Sequence, residues 1–141
     1  MMLVSQAHGL PVITADEAEE LGRVSGLTID PHTRSVVCVR LSGAPKHATG
    51  IAWDLIEGMG RSAVVVRSPA STGSGRDDFP THHEILGKRV LTEHGTAHGT
   101  VKDVAFDTTT GHLQTLYTAL GEISGNHLLG IGEYAVVVRG A

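Results

Sequence analysis

The chain repeats itself, and this limits its possible folds more than any other feature. Gly60-Arg61-Ser62-Ala63-Val64-Val65-Val66-Arg67 and Gly132-Glu133-Tyr134-Ala135-Val136-Val137-Val138-Arg139 agree at six of eight positions. Upstream, Gly22-Arg23-Val24 matches Gly99-Thr100-Val101, and Leu27-Thr28-Ile29-Asp30 matches Val104-Ala105-Phe106-Asp107. Gly9 and Val12 match Gly87 and Val90 further back. Landmarks that recur in one order at nearly one spacing indicate a duplicated module. The predicted division is a first module at 1–67, a flexible linker at 68–81 and a second module at 82–141. The linker rests on its Ser, Gly, Pro and Asp content, which offers no apolar face to bury.

Each module is expected to be β. The runs Leu10 to Thr14, Arg23 to Ile29, Ser35 to Leu41, Ile51 to Trp53 and Ala63 to Arg67 are rich in β-branched residues and bounded by Gly, Pro and Asp. Asp16 to Leu21 favours a helix in isolation. Its counterpart, Glu93 to His98, contains Gly95 and forms helices poorly, so a shared backbone predicts a loop or widened hairpin in both. The apolar residues Val24, Leu27 and Ile29 are spaced three and then two apart, as are Val101, Val104 and Phe106. An extra residue at Ser25-Gly26 and at Lys102-Asp103 would place all three on one face. That predicts a matched pair of β-bulges, which bend a strand and help a small sheet curl. A module of this size buries a modest core, so the two are expected to pack as a pair related by an approximate two-fold axis.

These landmarks resemble the PRC-barrel family. The opening segment is represented by Leu86-Gly87-Lys88-Arg89-Val90 and by His8-Gly9-Leu10-Pro11-Val12. Gly99-Thr100-Val101 and Gly22-Arg23-Val24 follow, then the turns Asp107-Thr108-Thr109-Thr110-Gly111 and Asp30-Pro31-His32-Thr33. The Ala-Val-Val-Val strands close each copy, and Trp53-Asp54-Leu55-Ile56 looks like the family's segment before that strand. Two departures stand out: Arg34 replaces the Gly that ends the turn, and Gly125-Asn126-His127 replaces Trp-Asp. The resemblance implies an all-β protein of two small PRC-type β-barrels packed as a pseudo-two-fold pair. Similar barrels occur in the cytoplasmic domain of the reaction-centre H subunit and the C-terminal domain of a ribosome maturation factor, where they bind other proteins. The resemblance therefore implies a non-enzymatic interaction module, such as an adaptor, scaffold or assembly factor. Its partner would be another protein, held on a barrel face or in the groove between barrels. An RNA-processing or ribosome-associated accessory role is the alternative, and a His-based metal-binding protein ranks below both.

Charge and composition narrow the chemistry. Apolar residues at 40% and charged residues at 18% favour a packed core over disorder. Aromatics at 4% and a net charge of −4 argue against direct nucleic-acid binding, which needs stacking platforms and basic faces. Neither module is basic: residues 1–67 carry six basic and seven acidic side chains, and residues 82–141 carry four and six. With one cysteine, Cys38, no intrachain disulfide can form, and a reducing compartment follows. The start lacks a signal peptide's pattern, and no run approaches the roughly 20 apolar residues of a membrane span. The expectation is a cytoplasmic protein without membrane insertion.

Candidate residues are few. Asp30 and Asp107 could serve as acid–base or metal carboxylates, but the first position of a turn already explains an Asp. His82-His83 and the pair His94 and His98 could bind metal, yet no Cys or carboxylate spacing completes a site. Cys38 reads as a buried structural thiol. No Gly-x-Ser-x-Gly elbow or phosphate loop is present, so no catalytic residue, cofactor or metal site is assigned. Trp53 and Tyr134 would suit a binding hot spot if exposed and would cap the cores if buried. With Arg67 and Arg139 they form the candidate interaction set. Exposed edge strands leave homodimerisation open.

Overall fold

A computed structural model describes residues 1–43, 50–68 and 84–140. The expected linker lies almost wholly outside the described residues, as do His82 and His83. In chain order the strands are β1 (Met2–Leu3), β2 (Pro11–Thr14), β3 (Glu20–Asp30), β4 (Ser35–Ser42), β5 (Gly50–Ala52), β6 (Ile56–Met59) and β7 (Val64–Val66). The second half contributes β8 (Arg89–Thr92), β9 (Ala97–Phe106), β10 (Leu113–Thr118), β11 (Gly121–Ser124), β12 (Leu128–Ile131) and β13 (Val136–Val138). A single helical turn, α1 (Val4–Ala7), follows β1, and 3-10 turns occupy Trp53–Leu55 and Gly125–His127.

The protein is all-β, in two sheets of identical strand order: β5-β4-β3-β2-β7-β6 and β11-β10-β9-β8-β13-β12. In each sheet the opening and closing strands run parallel, with Val12 beside Val64 in one and Val90 beside Val136 in the other. The other ladders of both sheets are antiparallel. Asp16 to Leu21 does not form a helix; it turns and enters β3, as its counterpart enters β9.

The expected bulges are present. Val24 pairs with Leu41 and Gly26 with Arg40, leaving Ser25 as the extra residue. Thr118 pairs with Val101 and Tyr117 with Asp103, leaving Lys102. A second matched pair falls one strand on, at Val37 and Gln114. A third falls at Glu57 and Leu129. Each adds bend and twist at an equivalent place.

The expected closure into barrels needs correction. The end strands of each sheet, β5 with β6 and β11 with β12, are not hydrogen-bonded to one another. They are consecutive in the chain and joined by one 3-10 turn, so they meet end to end instead of side by side. The chain itself spans the seam, and no ladder forms across it.

One contiguous apolar cluster runs through both halves, from Met2 and Val4 to Val136 and Val138. β1 pairs with the far sheet: Met2 lies opposite Phe106 and Leu3 opposite Ala105. β10 already occupies one edge of β9 at those residues, so β1 takes the other edge, beyond the end of β8. α1 then packs against both β3 and β9, burying Val4 and Ala7. Gln6 Oε1 accepts from the Leu3 N–H at 2.9 Å, and Asp103 Oδ1 accepts from the Ser5 N–H at 3.1 Å. The chain therefore starts on the second sheet before it builds the first.

Candidate functional site

The two sheets meet at their matched hairpin turns. In the first, Asp30 Oδ1 accepts from the His32 N–H at 2.8 Å. In the second, Asp107 Oδ1 accepts from the N–H groups of Thr109 at 2.7 Å and Thr110 at 3.1 Å. Those bonds, Thr110 first and then Thr109, hold the exposed Asp107 carboxyl below its ordinary range. Both aspartates therefore serve their turns.

Across the seam, Ser35 and His112 form an antiparallel bridge. The Val36 N–H donates to the Gly111 carbonyl at 2.9 Å, and the Leu113 N–H donates to the Arg34 carbonyl at 2.9 Å. Ser35 and His112 hold the same place after their respective Asp residues, as do Val36 and Leu113, and Arg34 and Gly111. Exchanging the halves converts one hydrogen bond into the other, which is the reciprocity of a two-fold contact.

Beside this seam opens a cleft of about 460 Å³, lined by Trp53, Asp54, Glu57 and Met59 from one half and Thr108 and Thr109 from the other. Trp53 forms part of its wall, and its ring meets Phe106 edge to face, with centroids 6.1 Å apart and planes at 81°. Trp53 is thus half-buried, structural on one side and accessible on the other. Glu57 is the bulged residue of β6 and is held by Arg67, whose Nε lies 2.9 Å from Glu57 Oε1. Among the described residues β6 ends its sheet and pairs only with β7, so its other edge offers main-chain groups to an incoming strand.

Of the four candidate interaction residues, Trp53 lines this cleft and Arg67 reaches it through Glu57. Tyr134 and Arg139 lie in the other half. Tyr134 is 72% exposed, and its hydroxyl accepts from Arg89 Nη1 at 2.8 Å while the guanidinium sits 5.2 Å from its ring centroid. Arg139 borders a cavity of about 290 Å³ with His98, Glu122 and His127, floored by Ile123 and Val138. Among the described residues, no three His, Cys, Asp or Glu side chains come together in a way that could hold a metal. Cys38 is fully buried on β4, its thiol directed at the Val39 carbonyl.

Sequence reasoning missed Asp54, Glu57, Thr108 and Thr109 as cleft residues. The adjacency of Asp54 to the single tryptophan was the available signal. Glu84 was also missed. It lies against the Ser25 bulge, where a side chain on Gly26 would collide with its carboxylate, and Arg40 Nε stands 3.5 Å away. Burial pushes the Glu84 carboxyl up, opposed by Arg40, His8 and Lys88.

Residues 78–140 match the PRC-barrel domain family. That stretch, the second half of the chain, is similar to a PRC-barrel domain. The identical strand order of the other sheet is consistent with a tandem PRC-type arrangement. No curated protein matches the chain. A PRC-barrel domain is a small β-domain often used in protein interactions and generally non-catalytic. Among the described residues, no helix is long and apolar enough to cross a membrane.

Proposed function

We propose that this protein is a non-enzymatic interaction module, an adaptor, scaffold or assembly factor acting in the cytoplasm, and that its partner is another protein docking at the cleft between the sheets. The observation that carries this reading is the placement of the cleft. It joins a half-buried tryptophan, the open edge of β6 and two turn threonines from the opposite half. An aromatic wall with an unpaired strand edge suits β-augmentation, in which main-chain bonds supply affinity and neighbouring side chains supply selection. Asp54, exposed in the cleft lining, adds a negative charge that favours a basic segment.

Affinity purification of the tagged native chain and of Asp54→Arg, each with and without nuclease, tests the reading. A stoichiometric protein partner that survives nuclease and is lost from Asp54→Arg is the expected result. Recovery only while RNA is intact would favour the RNA-associated reading. A partner retained undiminished by Asp54→Arg would move the docking surface away from this cleft.

A further inference from the structure

The main chain obeys the two-fold relation at the seam, and the side chains break it at one pair of contacts. The 3-10 turns correspond: Ile56 opposes Val66 just as Leu128 opposes Val138, so Trp53 and Gly125 hold equivalent places. Arg34 and Gly111 are equivalent at the ends of the hairpin turns. On one side of the axis the large residue sits on the 3-10 turn and the small one on the hairpin. A side chain on Gly111 would meet Trp53 Cε2 at 2.9 Å. On the other side the order is reversed. Arg34 extends from its hairpin, and its Nε donates to the carbonyl of Leu128 at 2.8 Å, at the end of the turn that begins with Gly125. Gly125 lies so close to Leu113 that a Cβ there would collide with the Leu113 carbonyl. Leu113 belongs to the same half as Gly125, so the contact across the seam on this side is that of Arg34 with the Leu128 carbonyl.

We propose that the seam is a mating surface that fits each half to the other and rejects a second copy of either half. Pairing two first halves would set Trp53 against Arg34 twice, where only a glycine leaves room. Pairing two second halves would set Gly125 opposite Gly111 twice, emptying the space that Trp53 and Arg34 fill. Only the mixed pair occupies both sides without overlap. Arg34 keeps φ at +55°, a conformation that disfavours a side chain, which fits a residue held there by its contact. This inference stands apart from the proposed docking cleft, because it concerns how the halves recognise each other.

The test is a double-mutant cycle on the full chain, read as thermal unfolding midpoints. Trp53→Gly alone lowers the midpoint, and Gly111→Arg alone lowers it further. The expected result is that Trp53→Gly raises the midpoint, or restores folding, when placed on Gly111→Arg. Additive losses, or a double variant no better than the worse single variant, would overturn the proposal.

Discussion

Thr28 is fully buried on β3, and its hydroxyl is the one buried side-chain oxygen or nitrogen among the described residues without a hydrogen-bond partner. The equivalent position in the second sheet is Ala105, also fully buried. A buried hydroxyl left unpaired keeps its desolvation cost. Thr28→Val preserves shape and removes that cost, so it is expected to stabilise the protein by about 1 kcal/mol. Equilibrium urea denaturation checks this; a midpoint at or below the native one would show that the hydroxyl finds a partner in solution. Some residues were plain from the sequence. Cys38 reads as core because it sits in a Val-rich strand, and the structure buries it. Others were not. Tyr134 and Trp53 look alike as lone aromatics, yet one is exposed on Arg89 and the other is wedged against Phe106. What separates them is the contact each makes across the fold, which local sequence does not encode.

The turn that ends β9 is an element with its own titration. Asp107 is held below its ordinary range by the N–H groups of Thr110 and Thr109. A carboxyl lowered in the folded state adds stability above its unfolded value, and that contribution is lost as pH falls through the folded value. Asp107→Asn should therefore be less stable than the native protein at pH 7, with the gap closing below about pH 4. Thermal melts across that range check it; a gap that persists unchanged in acid would show that the charge contributes nothing. The β elements themselves were legible. A slip from spacing three to spacing two in Val24, Leu27 and Ile29 can be satisfied by one extra residue, and Ser25 is that residue. The duplicated pattern likewise overrode the helix propensity of Asp16 to Leu21. The 3-10 turns were not legible, because Trp53–Leu55 and Gly125–His127 share no residue type at matching places. Their likeness lies in the backbone path between two sheet ends. The same fact hid the open seams and, with them, the cleft beside β6.

At the scale of the whole molecule, the apolar cluster does not stop at the boundary between halves. β1 belongs to the second sheet, and α1 packs on both β3 and β9. Shared burial of this kind couples the halves, so the chain is expected to unfold in one transition, with calorimetric and van't Hoff enthalpies equal. Val4→Asp should lower that transition by an amount worth about 3 kcal/mol or more, since it places a charge in the shared core. Two resolved transitions in the native protein would show that the halves fold independently. The pairing of Met2 with Phe106 also sets an order of events during synthesis. The first seven residues leave the ribosome long before the strand that receives them exists. At about 5–20 residues per second, their partner follows roughly 5–20 s later. Until then Met2, Val4 and Ala7 have no complete core to enter. Β2 similarly waits for Val64–Val66. The nascent chain thus carries a short apolar segment unburied for that interval, which gives a chaperone that grips exposed hydrophobic stretches time to bind it there.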